Sequence, residues 1–183
     1  MGHFILPALT FADRHMTPRP IWLLLAGGTA LTATASLGMT VWLDLHPCHL
    51  CIFQRLLFML LAGFACIAAF GSSRWRMLVM SSAFAMTSLV GMGIAAYQSW
   101  LQWQPPGSIS CVGGQPGLIE RFVEWLGQLQ PTLFLATGFC EDVETTILGL
   151  SLANLALLAY LGCFVLGLWA MELYGLTQRE ISR

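Results

Sequence analysis

Long apolar runs separated by short polar segments dominate the chain. The runs cover residues 21–43, 52–72, 77–103 and 146–171. A helix needs roughly 20 consecutive apolar residues to cross a bilayer, and each run is long enough. Only the second run contains a charged residue, Arg55, which lies near its start. The pattern therefore predicts an all-α membrane protein, a bundle of four transmembrane helices.

The segments between the runs differ in length. The turn at residues 73–76 is tight, so spans two and three are expected to be antiparallel neighbours. The segment at residues 104–145 is long, and within it apolar residues recur at helical spacing: Leu118, Ile119, Phe122, Trp125, Leu126 and Leu129. This spacing predicts a short amphipathic helix that lies either on the membrane surface or against the outer ends of the bundle.

The composition supports a membrane location for the whole chain. Hydrophobic residues make up 57% of it and charged residues only 9%, whereas roughly 25% charged residues is usual in soluble domains. The four spans and their connections use nearly all of residues 1–183, so we expect a single integral membrane domain. The expected surroundings are a lipid bilayer, and we expect no nucleic-acid partner.

The positive charges predict the orientation. All eight basic residues are arginines, and basic residues favour the cytoplasmic side of a membrane. Six of them flank the same ends of the spans: Arg14, Arg19, Arg74, Arg76, Arg179 and Arg183. Both termini are therefore predicted to be cytoplasmic, and the long segment at 104–145 to be outside. The first apolar run is long enough to span, so we expect a retained helix rather than a cleaved signal peptide.

The six cysteines fall into two groups. Cys66 and Cys163 lie in the middle of apolar runs, where a thiol behaves as a small hydrophobic group. The other four are predicted to lie at or beyond the outer membrane surface: Cys48, Cys51, Cys111 and Cys140. If that compartment is a bacterial periplasm, it is oxidising and supports disulfide bonds. Thiol–disulfide chemistry is therefore the most economical interpretation of these four residues.

Cys48 and Cys51 are predicted to share one face at the beginning of the second span. Pro47 suits the first position of a helix that starts there. The helix dipole and Arg55, one turn beyond Cys51, would both favour the reactive thiolate form. A cation at a membrane boundary usually has a partner or a function, although an arginine that reaches toward lipid headgroups is the simpler alternative.

Two non-catalytic interpretations of the cysteines remain open. His46, Cys48, His49 and Cys51 could form a metal site, but ligands crowded into so few residues seldom surround one tetrahedral ion. Cys111 and Cys140 could form a purely structural disulfide, which would contribute about 3 kcal/mol. With a reactive pair on the same face, exchange between two pairs explains the pattern better. Four cysteines permit three pairings, and the residues alone do not choose among them.

Residues 47–55, with the sequence PCHLCIFQR, resemble the signature of the disulfide bond formation protein B (DsbB) family. Residues 124–126 (EWL) and 134–140 (FLATGFC) are similar to the second periplasmic loop of that family. The arrangement of four spans is also similar, so that the resemblance covers the chain from about residue 20 to residue 170.

The resemblance implies a protein of the bacterial inner membrane whose active cysteines face the periplasm. Members reoxidise a periplasmic thioredoxin-fold dithiol oxidase of the DsbA type and pass the electrons to a membrane quinone, ubiquinone or menaquinone. It further implies that Cys111 forms the mixed disulfide with the partner, and that Cys140 is its mate. Cys48 would exchange with that pair, and Cys51 would face the quinone beside Arg55. No metal is implied.

The chain departs from some members at two places. Gln54 precedes Arg55 where some members have an acidic residue. Tyr97, Gln98 and Ser99 occupy the end of the third span where some have a histidine near the quinone. A second hydrogen-bond donor to the quinone is therefore not identified.

Two alternative functions are weighed against the family. A vitamin K epoxide reductase-like protein also combines a membrane Cys-x-x-Cys motif with a loop pair, but its motif normally belongs to a later span. The other alternative is a non-enzymatic membrane protein that handles a metal or assists assembly.

Overall fold

The computed structural model describes residues 18–43, 45–71, 73–104, 117–138, 146–147 and 149–181. Cys111 and Cys140 lie outside these ranges. The elements in chain order are α1 (Pro18–Trp42), α2 (His49–Phe70), α3 (Arg74–Leu101), α4 (Leu118–Leu129), α5 (Pro131–Phe134), β1 (Thr146–Ile147), β2 (Leu150–Ser151) and α6 (Leu152–Ile181).

Helices α1, α2, α3 and α6 are each long and apolar enough to cross a membrane. The predicted all-α fold with four membrane-spanning helices is therefore confirmed. The cytoplasmic location of the termini remains a prediction.

The fourth long helix begins later than the apolar run predicts. Thr146–Ile147 pairs antiparallel with Leu150–Ser151, and Gly149 in the turn has a φ of 80°. Glycine adopts this left-handed conformation without steric cost, so the chain can reverse direction there. Hydrophobicity alone does not distinguish such a short hairpin from the first turn of a helix. Helix α6 consequently starts at Leu152 rather than at residue 146.

Helix α2 packs against both α1 and α3. Helix α6 packs mainly on α3 and meets α1 less extensively. Trp22 and Phe84 meet edge to face with ring centroids 5.3 Å apart. Phe58 stacks on Tyr160 at 4.3 Å. The first contact joins α1 to α3 and the second joins α2 to α6, and all four residues belong to one buried core.

Close packing between α3 and α6 depends on Gly91. A β-carbon at this position would overlap the ring of Tyr160, which is fully buried.

The Tyr160 hydroxyl donates a hydrogen bond to the carbonyl oxygen of Gln54 at 2.9 Å. This bond satisfies a polar group that would otherwise be buried without a partner.

Helix α4 packs across the beginning of α2. Val123 is fully buried and forms a cluster with Ile52 and Phe134. Leu118 and Leu129 on the same helix are 87% and 58% exposed. The contacts favour packing on the end of the bundle, and the exposed apolar side chains leave the opposite side of α4 suited to a membrane surface.

Candidate active site

Cys48 caps the N-terminus of α2. It has extended backbone angles (φ −80°, ψ 169°), and its sulfur accepts a hydrogen bond from the Cys51 N–H at 3.4 Å. The sulfur thus takes the place of the oxygen that usually satisfies an N-terminal amide. Pro47 was expected at the first helical position, but it precedes the cap: Ile52 N–H bonds to the Cys48 carbonyl, and the Pro47 carbonyl accepts from Thr137 and Gly138 instead.

The two sulfurs of the motif lie together. Cys48 Sγ is 3.2 Å from Cys51 Sγ and within hydrogen-bonding distance of it. This separation is longer than a disulfide bond of about 2.05 Å, so the two sulfurs are not bonded to each other here. Cys48 is only 2% exposed, whereas Cys51 is partly exposed. The pair is therefore close enough to form a disulfide with little movement, and Cys51 is its more accessible member.

Two buried amide side chains connect the pair to α3. Gln98 Nε2 donates to Cys51 Sγ at 3.1 Å and approaches Cys48 Sγ at 3.6 Å. Gln54 Nε2 donates to Gln98 Oε1 at 2.7 Å. These contacts were not predicted from the sequence. The available signal was the presence of two amide side chains in otherwise apolar runs, because polar groups within a membrane need partners.

Arg55 is a buried cation held by neutral partners. It is 2% exposed. Its Nε donates to Ser36 Oγ at 3.2 Å, and its Nη2 donates to the Ser36 carbonyl oxygen at 3.2 Å and to Thr40 Oγ1 at 2.7 Å. Its Nη1 donates to the carbonyl oxygen of Leu133 at 2.9 Å. Arg55 thus ties α2 to α1 and to α5, and none of its partners in the described part of the chain is a carboxylate.

A cavity of about 440 Å³ lies beside the cysteine pair. Its apolar walls come mainly from α1 and α6, and include Leu31, Ala35, Met39, Leu152, Ala153, Leu155, Ala156 and Ala159. Its polar lining includes Cys48, Cys51, Gln54, Arg55 and Gln98. The structure therefore brings three of the predicted site residues, the two cysteines and Arg55, to one cavity.

Two residues of the long segment at 104–145, Thr137 and Gly138, lie beside the cysteine pair. Thr137 and Gly138 donate backbone hydrogen bonds to the Pro47 carbonyl oxygen at 3.0 and 3.2 Å. A β-carbon at Gly138 would overlap the carbonyl oxygen of His46, so only glycine permits this approach. The predicted site residues Cys111 and Cys140 lie outside the described residues. Cys140 nevertheless follows Gly138 by only two positions in the chain.

The remaining cysteines lie apart from the cavity. Cys66 is exposed on α2, and Cys163 packs in the helical core. Neither residue lines the cavity beside Cys51. Their position agrees with the interpretation that both thiols serve as small hydrophobic groups.

A bundle of membrane helices with a dithiol at a helix N-terminus and an adjacent apolar cavity defines the class of membrane thiol–disulfide oxidoreductases. The family model described as disulfide bond formation protein DsbB matches residues 18–170. The chain therefore belongs to the DsbB family and is a disulfide-generating oxidoreductase that crosses the membrane several times.

Curated relatives agree with this assignment. The chain is 41% identical over 137 residues to the disulfide bond formation protein B of Dechloromonas aromatica (strain RCB), covering 74% of this chain and 82% of that protein. It is 34% identical over 165 residues to the protein of that name from Verminephrobacter eiseniae (strain EF01-2), covering 89% and 92%. The family resemblance seen in the sequence is thus confirmed.

Proposed function

We propose that the protein reoxidises a periplasmic thioredoxin-fold dithiol oxidase of the DsbA type and passes the electrons to a membrane quinone. The observation that carries this proposal is the position of the Cys48–Cys51 pair. Its two sulfurs lie 3.2 Å apart, and both residues line the cavity that Arg55 also lines. When this pair closes to a disulfide, its two electrons are released beside a site that suits a small apolar acceptor.

The cavity suits a quinone headgroup, ubiquinone or menaquinone. Its volume of about 440 Å³ is within the range of about 300–1,000 Å³ for small-molecule pockets, and such pockets are mostly apolar with a few polar groups. A guanidinium has five N–H donors, and four hydrogen bonds from Arg55 are present. Within the described part of the chain, this leaves one N–H on Nη1 for a carbonyl oxygen of a ligand. A bound quinone would supply an acceptor of two electrons and two protons.

Cys51 is proposed as the cysteine beside the acceptor. When the Cys48–Cys51 dithiol closes to a disulfide, it releases two electrons and two protons. The positive charge of Arg55 favours a thiolate at Cys51 and negative charge that develops on an acceptor in the cavity. Arg55 is accordingly proposed as a quinone-binding residue.

The long loop is proposed to connect the pair to the soluble partner. Cys48 is buried, so that a folded partner cannot reach it directly. Gly138 already contacts the backbone beside it, and the two residues of chain from Gly138 to Cys140 span at most about 7 Å. We assign Cys111 to the mixed disulfide with the partner, and Cys140 as its mate.

The transfer then consists of two balanced exchanges. First, the dithiol of the partner reduces the Cys111–Cys140 disulfide and is itself oxidised. The resulting loop dithiol then reduces the Cys48–Cys51 disulfide through a mixed disulfide that includes Cys48. In each exchange a thiolate attacks a sulfur, one disulfide breaks as another forms, and two electrons move.

The orientation is proposed from the charges at the two ends of the bundle. Arg74 begins α3 directly after the end of α2 at Phe70, and Arg19 lies over the Phe70 ring at 5.1 Å. Cys48 caps the opposite end of α2. Because arginine favours the cytoplasmic side, the cysteines face the periplasm. The chain is proposed to be a single integral domain of the bacterial inner membrane.

The loop relay is tested by Cys111→Ser in the purified protein. With a reduced DsbA-type protein as donor, quinone reduction should fall to background because the mixed disulfide cannot form. With dithiothreitol as donor, quinone reduction should continue, since a small thiol can reach the partly exposed Cys51 without the loop. Partner oxidation at the wild-type rate would refute the relay.

A further inference from the structure

Gln54 and Gln98 form a buried pair of amides between α2 and α3. They are 5% and 3% exposed, and Gln54 Nε2 donates to Gln98 Oε1 at 2.7 Å. The other end of the Gln98 amide faces the cysteines, with its Nε2 at 3.1 Å from Cys51 Sγ and 3.6 Å from Cys48 Sγ. The four side chains thus form one connected set that begins at Gln54 and ends at the sulfurs.

The direction of these hydrogen bonds depends on Gln54. A primary amide has two N–H donors, so Gln98 can address both sulfurs at once. If the Gln98 amide turned over, it would lose the short bond from Gln54 and would place its carbonyl oxygen against the two sulfurs. An acceptor in that position would repel a thiolate. Gln54 therefore holds Gln98 with its donors toward the cysteines.

The donors interact differently with the two redox states of the pair. Hydrogen bonds to an ionised group are roughly twice as strong as neutral ones, and a reduced pair can carry a thiolate, whereas a disulfide is uncharged. Gln98 therefore stabilises the reduced pair more than the disulfide. A disulfide whose reduced form is stabilised is a stronger oxidant, and the periplasmic oxidase DsbA is an example.

We propose that Gln98 is a catalytic residue that raises the reduction potential of the Cys48–Cys51 couple through its hydrogen bonds to the sulfurs. Gln54 is the positioning residue that orients its amide. This assignment rests on the proposed function, because it explains what draws electrons from the loop dithiol into the Cys48–Cys51 pair. It also indicates that both N–H groups of Gln98 donate to the sulfurs, so that Gln98 is not the second donor to a quinone.

The test is the equilibrium between dithiol and disulfide at Cys48–Cys51, measured without quinone. The full-length protein in detergent would carry Cys111→Ser and Cys140→Ser, so that the loop cysteines cannot exchange with this pair. After equilibration in glutathione or dithiothreitol redox buffers, alkylation and mass spectrometry report the oxidised fraction. Gln98→Met should shift the equilibrium about tenfold toward the disulfide, which is about 30 mV for a two-electron couple.

Gln102→Met provides a matched control. Gln102 lies one turn further along the chain and lines the same cavity, but it makes no hydrogen bond with either sulfur. Its substitution should leave the potential at the value of the parent protein. An equal shift in Gln102→Met and Gln98→Met would show a general effect of lost polarity and would overturn the assignment.

Gln54→Met tests the positioning role separately. It should shift the equilibrium in the same direction as Gln98→Met but less far, and it should add nothing when Gln98 is already Met. An unchanged potential in Gln98→Met overturns the catalytic role, and independent, additive shifts overturn the positioning role. If Gln98→Met does not fold, an unchanged potential in Gln54→Met alone overturns the proposal. The proposed function can fail separately. If Gln98→Met shows the expected shift in the equilibrium but the wild-type protein does not reduce quinone, the proposed function is contradicted and this inference stands.

Discussion

At the scale of single residues, Arg55 combines two properties that rarely occur together. It is almost fully buried, and its hydrogen-bond partners are hydroxyl and carbonyl oxygens on α1 and α5. Neutral partners satisfy its donors without cancelling its charge. The positive charge therefore remains available to the cavity and to the sulfur of Cys51.

Arg55→Met should raise the KM for quinone about tenfold or more, because hydrogen bonds to charged groups contribute about 1.5–3 kcal/mol. Steady-state quinone reduction with dithiothreitol as donor measures this value without involving the loop. Arg74→Met, at the other end of the bundle, is the control and should leave the KM unchanged. An unchanged KM in Arg55→Met would remove this residue from the acceptor site.

The residues of the site were only partly predictable from the sequence. Cys48, Cys51 and Arg55 could be grouped because helical spacing places them on one face of one helix. The contact of Gln98 with the sulfurs could not be predicted, since it depends on how α3 packs against α2. The sequence marked positions 54 and 98 only as departures from the family pattern.

At the scale of elements, apolar runs predicted the existence of the long helices better than their ends. Helix α2 starts at His49 because Cys48 caps it, and α6 starts at Leu152 because a two-stranded hairpin precedes it. Caps and turns depend on single backbone conformations, which hydrophobicity does not encode. Helix α4 was predicted from its spacing, but its contact with Ile52 required the structure.

The approach of the loop to Pro47 depends on Gly138. Gly138→Ala would place a β-carbon against the carbonyl oxygen of His46 and force the loop away from Cys48. Turnover with a reduced DsbA-type donor should fall at least severalfold, whereas turnover with dithiothreitol should be unchanged. Gly63→Ala on α2 is the control, since a β-carbon there contacts nothing within 4 Å. Equal loss with both donors would mean that Gly138 maintains the site rather than the loop contact.

The contact between α3 and α6 depends on Gly91 in the same way. Gly91→Val would place a side chain where the ring of Tyr160 lies, and overpacking of this kind typically costs about 1–3 kcal/mol. Thermal unfolding in detergent should show a lower midpoint than for Gly93→Val, where a β-carbon has open space. Because both variants introduce the same residue into one helix, the difference isolates the Tyr160 contact. Equal midpoints would contradict the packing described.

At the scale of the whole molecule, the cysteine pair, the cavity and the arginines of the α2–α3 turn lie at different places along one bundle. The end of α2 at Cys48 is the proposed site of thiol chemistry, and the cavity beside it is lined by apolar residues of α1 and α6. Arginines mark the opposite end at Arg74 and Arg76. Under the proposed function, electrons would move through this arrangement from a soluble dithiol to an acceptor dissolved in the bilayer.

The most direct test of this account is quinone reduction by the purified protein with a reduced DsbA-type protein as electron donor. Wild-type protein and Cys66→Ala should reduce ubiquinone or menaquinone at similar rates, because Cys66 does not line the cavity. Cys51→Ala should show no turnover, since the Cys48–Cys51 disulfide, whose formation releases the electrons, cannot form. Turnover that persists in folded Cys51→Ala, or its absence from the wild-type protein with both quinones, would contradict the central claim.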